Sequence, residues 1–438
     1  MAIDTTTIAW QLKQVYGDKI NDLFNRQVMT YNMFMKSNRL PTIRPGGAGF
    51  YFACRQADIE SVGARAENAY LPEPLEGDGV QGYIKPKLVY ASLRLSGLAV
   101  ESGKTNLEAF ANVQGDAVAN VYKSLITDLN RQCWGDGTGL LATTTAAVTP
   151  GTTSASDTFT ATMANDRGVR YLRKGMVVDL YYGAAIDTSA SAIRIKSIAP
   201  STRVVTFEAN LGSYDTYHPL GTFTPGEAAT DGAVDLVRMG ARLASHAATT
   251  TYEIMGLEGM FNDDVHTTSF EGITLTSDPE FIPNVLGNAG VKRELSIDLM
   301  LQAMDLTSTR SDESVARILT GLGQRRKYFA LLASDVRYAP GSFLGGYETL
   351  KFAQNAQVEL TFDPHAQPNR MYFMPTNGIK KYELTPIGWG GFDANKMHWR
   401  ENYDQATAFL RTYTNLGTEK RNALTLLEDL TEPAGYLW

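Results

Sequence analysis

The chain has little cysteine or histidine, no run of like charge and no long apolar stretch, and each shortage excludes something. Two cysteines, Cys54 and Cys133, stand among 438 residues. They cannot supply a disulfide framework or a four-ligand metal site, and they read as reduced core residues of a chain folded in a cytoplasm. Five histidines, His218, His246, His266, His365 and His398, are scattered without a partner at metal-ligand spacing. Each reads as a surface or loop residue; His365, beside Asp363 and Pro364, reads as a turn. The formal net charge is −7 with no basic run, which disfavours binding built on phosphate neutralisation. No apolar run reaches bilayer length. Met1-Ala2-Ile3-Asp4-Thr5 lacks the basic and apolar regions of a signal peptide. The expectation is a soluble protein.

Motifs of catalysis are missing as well. There is no G-x-S-x-G elbow, Walker lysine loop or zincin helix. Gly135-Asp136-Gly137-Thr138-Gly139 has the glycine density of a phosphate loop. Phosphate-cradling glycines precede a helix N-terminus, however, and these follow a helix and lack a lysine, so they read as a helix stop. Asp263-Asp264 has no calcium-loop ladder around it and reads as a solvated loop. No catalytic, cofactor-binding or metal residue is assigned, no cofactor is expected, and the chain is read as a non-enzyme.

What is present begins with Thr105 to Cys133. Leu107, Phe110, Ala111, Gln114, Ala117, Val118, Val121, Leu125 and Leu129 recur at helical spacing, behind a Thr105-Asn106-Leu107-Glu108 capping box. Such a helix would run roughly 40 Å. Residues 7 to 37 predict a helical N-terminal arm striped with Leu12, Tyr16, Ile20, Leu23, Phe24, Tyr31 and Met35, ended by Pro41 and Pro45. Residues 48 to 100 predict a two-stranded excursion. Phe50 to Cys54 leads out, Val89, Ala91, Leu93 and Leu95 lead back with period two, and a tip rich in proline, glycine and acid lies between. A hairpin without its own core is marginal alone, so this segment is expected to be ordered by a neighbouring subunit.

Beyond an Ala/Thr/Ser linker, Met176 to Tyr182, Ile193 to Ile198 and Arg203 to Phe207 predict short strands of a small barrel-like β domain inserted at 145 to 235. Asp231-Gly232 marks its exit. Two apolar stripes, Leu295/Leu299/Ala303/Leu306 and Val315/Ile318/Leu319/Leu322, predict helices. Strands are expected at Tyr347 to Phe352, Val358 to Phe362 and Met371 to Met374, an α+β mixture. Ala406 to Tyr413 and Asn422 to Leu427 predict a strand pair that packs back on the long helix.

The order of these parts resembles the major capsid proteins of tailed double-stranded-DNA bacteriophages, the Hong Kong phage fold. The residues carrying the likeness are Cys133-Trp134-Gly135-Asp136-Gly137-Thr138-Gly139, Gly256-Leu257-Glu258-Gly259 after the inserted domain, and Tyr413-Thr414-Asn415-Leu416-Gly417-Thr418-Glu419-Lys420-Arg421-Asn422-Ala423. The resemblance implies an α+β phage major capsid fold with a long spine helix, an extended two-stranded loop, peripheral and axial domains and the small inserted β domain. Its division would be an N-terminal arm at 1–47, the extended loop at 48–100, and the spine with the start of the peripheral domain at 101–144. The inserted domain at 145–235, a return through the peripheral domain at 236–280, an axial domain at 281–390 and C-terminal peripheral strands at 391–438 would follow. It further implies self-assembly into hexamers and pentamers, a scaffolding protein, a portal and a decoration protein as partners, packaged DNA nearby without specific binding, no membrane, and location in the virion after assembly in host cytoplasm. Relatives that cross-link use a loop lysine; Lys85 and Lys87 match no such triad, and that chemistry is not carried over. An encapsulin-type compartment and a multidomain enzyme with a β substrate-binding module at 145 to 235 are the alternative readings.

Overall fold

The computed structural model describes residues 30–44, 47–57, 61–67, 70, 77–97, 113–145, 158–164, 168–182, 185–186, 193–208, 235–241, 252–263, 266, 268–333, 349–351, 357–390, 398–399 and 403–433. The N-terminal stripe from Leu12 to Phe24, the Thr105–Glu108 capping box, the Pro72–Glu76 tip, most of the Ala/Thr/Ser linker, Asp231-Gly232, His218 and His246 lie outside them.

The long helix is described over Val113–Gln132, about 30 Å of rise. Its stripe divides between two partners. Ala117, Val118 and Val121 pack on Leu93, Leu95 and Ala408, while Leu125, Leu129, Cys133 and Trp134 enter the main core. The helix therefore lies across a sheet at one end and anchors the molecule's centre at the other.

That sheet is antiparallel. Gln405–Gly417 is its middle strand, flanked by Lys87–Ser96 on one side and by Lys380–Gly390 and His398–Trp399 on the other. The period-two pattern of Lys87–Ser96 works as the residues dictate: Val89, Leu93 and Leu95 are buried while Leu88 and Tyr90 face out. Its partner differs from the expected one. Phe50 to Cys54 pairs with Gly79–Ile84, in a three-stranded sheet with Thr42–Arg44. The strand carrying Val89 to Leu95 pairs instead with the C-terminal strand across the whole of 405 to 414. Alternation shows which face of a strand is buried and says nothing of which strand lies beside it.

A seven-stranded antiparallel sheet runs in the order Leu140–Thr143, Asp235–Arg238, Val177–Tyr182, Ile193–Ala199, Val204–Glu208, Thr158–Thr162, with Ala185–Ile186 added to Val177–Tyr182. Its two end strands meet through a bridge between Thr144 and Met163. Thr145 donates to the Thr162 carbonyl at 2.9 Å and Ala164 to that of Thr143 at 2.8 Å. The sheet so closes on itself around Leu141, Leu180, Ile195, Val205, Phe207 and Leu236.

A six-stranded mixed sheet orders Asn284–Leu286, Thr425–Leu427, Met371–Met374, Arg317–Thr320, Gln357–Phe362 and Thr349–Lys351. Helix Ile297–Ser311 covers it, started by the Ser296 hydroxyl accepting from Leu299 N–H and stopped by Asp312 at φ 54°. Two expectations are corrected here. Val315, Ile318 and Leu319 are not a helical stripe: Arg317–Thr320 is a strand, hydrogen-bonded on both sides, and the helix Leu322–Ala333 begins only after it. A short apolar run buried on both faces has no alternation to separate it from a helix segment. Asn422 to Leu427 does not pair with Ala406 to Tyr413. A short turn at Arg421–Ala423 leads Thr425–Leu427 into this sheet, beside Asn284–Leu286 and Met371–Met374. Of these two strands, Gln405–Gly417 packs against the long helix, through Ala408 and beside Lys87–Ser96.

Candidate functional site

The glycine turn after the long helix and the Gly256–Gly259 segment, far apart in sequence, are one piece of structure. Asp136 Oδ1 accepts from the Thr138 N–H at 2.9 Å and from its hydroxyl at 2.5 Å, holding a tight loop in which Gly137 and Gly139 take φ of 84° and 76°. The last carbonyls of the helix need donors. Leu257 N–H supplies one, reaching the Cys133 carbonyl at 2.7 Å. Gly256 approaches so closely that a β-carbon there would overlap the carbonyl oxygens of Gln132, Cys133 and Gly135. The helix end is thus satisfied by the short helix Leu257–Phe261, and no anion is needed.

The C-terminal segment Thr418 to Ala423 distributes three successive charged residues in three directions. Glu419 takes the Arg39 guanidinium through Nε at 2.6 Å and Nη2 at 2.7 Å, and the Tyr382 hydroxyl at 2.8 Å. Lys420 Nζ reaches the Ser311 carbonyl and, at 3.5 Å, Glu313. Arg421 is fully buried: Nε donates to the Met260 carbonyl at 2.8 Å, Nη2 to Gly259 at 3.1 Å and to Asn262 at 2.9 Å, and the guanidinium lies 4.1 Å from the Phe270 ring. A cation on the last carbonyls of Leu257–Phe261 completes that helix end. Burial lowers Arg421 to about 10, which leaves it charged at neutral pH.

A buried polar junction lies under Trp134. Asp363 Oδ2 accepts from the Thr30 hydroxyl at 2.6 Å and from Asn130 Nδ2 at 3.1 Å. Asp363 Oδ1 accepts from the His365 backbone at 2.8 Å and sits 3.0 Å from His365 Nδ1. The Tyr171 ring stacks parallel to His365, and its hydroxyl donates to the His365 carbonyl at 2.8 Å. Trp134 Nε1 donates to the Thr30 hydroxyl at 3.2 Å. Burial alone would raise the Asp363 carboxyl; the hydrogen bonds from His365 and Thr30 outweigh it and hold the group down at about 2. His365 is in a turn, as read from sequence, but a buried one whose ring is committed. A second buried charge group sits at the same helix end. Arg131 pairs with Glu253 and, at 3.0 Å, with Asp128, whose other oxygen takes Gln132 Nε2 at 2.8 Å.

These clusters are fully engaged in joining elements. Among the described residues no group of three or more His, Cys, Asp or Glu is placed to hold a metal ion, and no helix is long and apolar enough to cross a membrane. Cys133 is buried and Cys54 partly so, with its thiol donating to the Glu419 carbonyl at 3.2 Å. An open cleft of about 490 Å³ is lined by Lys36, Arg39, Asn377, Lys380 and Glu419 among others. Its carboxylate already holds Arg39, and no nucleophile with a base lines it.

The buried junctions were invisible in the sequence. Thr30, Asn130, Tyr171 and His365 stand in four separate stretches, and a lone arginine such as Arg421 reads as exposed.

No family model and no curated protein matches the sequence. Solved structures do. The chain aligns with one from the cyanophage A-1(L) capsid asymmetric unit at a TM-score of 0.54 and 11% identity, over 98% of this chain and 100% of that one. Looser likenesses are to the capsid of a native GTA particle, with TM-score 0.45, 8% identity and 95% of each chain, and to Mycobacterium phage Ogopogo, with TM-score 0.40, 11% identity, and 98% of this chain and 99% of that one. The cyanophage alignment carries the assignment: this chain has, end to end, the fold of a phage capsid subunit.

Proposed function

We propose that the chain is the major capsid protein of a tailed double-stranded-DNA phage, a structural subunit that assembles into the hexamers and pentamers of an icosahedral head. The observation that carries this is the full-length alignment with the cyanophage capsid chain. The subunit's form supports it. Between the paired strands Gly47–Arg55 and Gly79–Ile84, Val62 is 89% and Tyr70 96% exposed. Apolar side chains so exposed are expected to be buried against another copy.

In this reading Val113–Gln132 is the spine, and with Lys87–Ser96 and Gln405–Gly417 it forms the peripheral domain. Residues 281–390, apart from the strand Lys380–Gly390 that pairs with Gln405–Gly417, form the axial domain around capsomer axes, and the closed sheet, whose strands span Leu140 to Arg238, is the inserted domain expected at 145–235. Residues 1–47 reach neighbouring subunits. A scaffolding protein, a portal and a decoration protein are the expected further partners. The packaged DNA lies close to a net-negative subunit without specific binding, and the protein resides in the virion after assembly in host cytoplasm. Catalysis has no part in the role.

Electron microscopy of the purified protein, alone and with its scaffolding protein, tests this. Closed shells of uniform size are expected. Monomers in both preparations at high concentration would overturn the reading, and shells that package enzymes in place of DNA would move it to the compartment alternative.

A further inference from the structure

Glu271 sits in the two-residue turn of the hairpin Ser269–Phe270 and Ile273–Thr274, at φ 49°, with Gly272 after it at 82°. Positive φ at both positions is the geometry of a tight hairpin, normally occupied by Asn, Asp or Gly. A glutamate here carries its side chain inward. The turn backbone is partly exposed, but Oε2 is buried and has no hydrogen-bond partner, and Oε1 accepts only the Thr418 N–H, at 3.1 Å. An ionised carboxylate accepts at several sites and is costly to bury with one neutral donor. Arg421 is the nearest candidate counter-charge, and its Nη1 is likewise buried without a partner, but its Nε and Nη2 are fixed on three carbonyls and its plane on Phe270, and no hydrogen bond joins it to Glu271. Burial accordingly drives the Glu271 acid well above the ordinary carboxylate range, against smaller opposing effects of Thr418 and Arg421 and with help from Glu419.

The same hairpin holds the root of the extended loop. Tyr83 N–H donates to the Glu271 carbonyl at 2.7 Å, the Tyr83 ring lies on Gly272, and Gly417 packs between Ile84 and Glu271 Oε1. We propose that Glu271 is a proton-operated clasp: its carboxyl, protonated, holds the loop root against Gly417–Thr418, and loss of that proton releases the hold. The acid is raised in the folded state, so the stabilisation is complete below the ordinary carboxylate pKa and is lost as pH rises through the raised value. The charged and titratable groups facing it are Arg421, Glu419, Cys54 and Tyr382, with Asp263 and His266 beside Arg421 and with Lys85 and Lys87 at the loop root. Of these, Lys87 is lowered to about 8 by burial and by Lys85, and it loses charge within the span over which the test is run. The test must therefore separate the two groups. Any consequence for shell assembly rests on the function proposed above; the clasp itself is read on the subunit.

Hydrogen exchange at the Tyr83 and Thr418 amides, corrected for the intrinsic pH dependence, is followed from pH 4 to 9 in wild type and in Glu271→Gln, which keeps Lys87. Protection in wild type is expected to fall by up to about tenfold per pH unit between the ordinary carboxylate range and the raised value and to level off above it, and this fall is expected to be missing from the variant. Level protection in wild type, or an equal fall in both, overturns the clasp. Should the variant fail to fold, infrared spectroscopy of wild type labelled in its glutamate carboxyls decides the matter. A protonated-carboxyl band that persists above the ordinary carboxylate range and disappears on further alkalinisation supports the proposal, and its loss within the ordinary range sinks it. Failure of the protein to form shells, with the clasp behaviour intact, would count against the capsid reading alone.

Discussion

The Thr30 hydroxyl donates to Oδ2 of Asp363 at 2.6 Å, joining residues 333 apart in sequence. Because Asn130 and His365 also converge on that carboxylate, one side chain ties the chain's first described helix, the long helix and a loop of the mixed sheet. Asp363→Ala would leave several buried donors unpaired, at about 1–3 kcal/mol each. The expected loss is roughly 3–5 kcal/mol of unfolding free energy, measured by urea denaturation with Trp134 fluorescence as the reporter. A loss under about 1 kcal/mol would mean that water replaces the carboxylate.

Acid should expose the same junction. Asp363 is held at about 2 in the folded chain, against roughly 3.9 when unfolded. Its contribution is therefore present above the unfolded value and fades as pH falls from about 4 through about 2, amounting to roughly 2–3 kcal/mol. Stability followed against pH should show this acid limb in wild type and a shallower one in Asp363→Asn. Parallel curves would assign the limb to other carboxylates.

Two glycines offer a contrast between space and backbone. A β-carbon on Gly256 would overlap three carbonyl oxygens at the end of the long helix, whereas Gly240, at φ 77°, has nothing within 4 Å. Gly240→Ala is expected to cost about 1 kcal/mol, from backbone strain alone. Gly256→Ala must push two helices apart and should cost more than about 3 kcal/mol or abolish soluble expression. Thermal unfolding of both variants checks the ranking, and equal effects would refute the close approach.

Much of the local structure was legible because local rules decide it. Val89, Leu93 and Leu95 alternate because one face of their strand is buried, and the Trp134–Gly139 turn follows from glycines placed after a helical stripe. Pairing and junctions were not legible. Lys87–Ser96 lies beside Gln405–Gly417 rather than the strand that precedes it, a choice made by burial summed over the whole sheet. The Val315 to Leu322 run reads as a helix because Ile318, Leu319 and Thr320, all buried, carry no period. Asp363 and Arg421 were visible only as a neighbour of His365 and as a letter in the Tyr413–Ala423 motif, and Glu271 not at all, since an isolated charged residue reads as solvent-facing until its distant partners are in place.

Arg421 is the sharpest case of such a residue. Its planar fork serves three carbonyls at once while stacking on Phe270, and an ammonium cannot reproduce that geometry. Arg421→Lys is expected to cost roughly 2–4 kcal/mol. Its neighbour Lys420, half-exposed beside Glu313, should tolerate Lys420→Gln with a loss below about 1 kcal/mol. Thermal melts of the two variants give the comparison. Similar shifts would mean that Arg421 contributes no more than a surface charge.

The extended loop separates folding from assembly. A deletion from Gly63 to Gly82 would remove Gly79 to Gly82, most of the strand Gly79–Ile84, and Gly82 lies on the Phe52 ring. Folding would then fail before assembly could be judged. Replacing residues 58–76 with a short glycine-serine linker keeps both root strands and removes Val62 and Tyr70, which the subunit leaves almost wholly exposed. Since the described residues of that segment, 61–67 and 70, include none that is buried, the variant should keep its circular dichroism and melt within a few degrees of wild type, a shift of about 1 kcal/mol or less. If the loop's apolar residues are buried only against another copy, electron microscopy should show no stable closed shells. Shells like those of wild type would show that the contacts holding the head together lie elsewhere on the subunit.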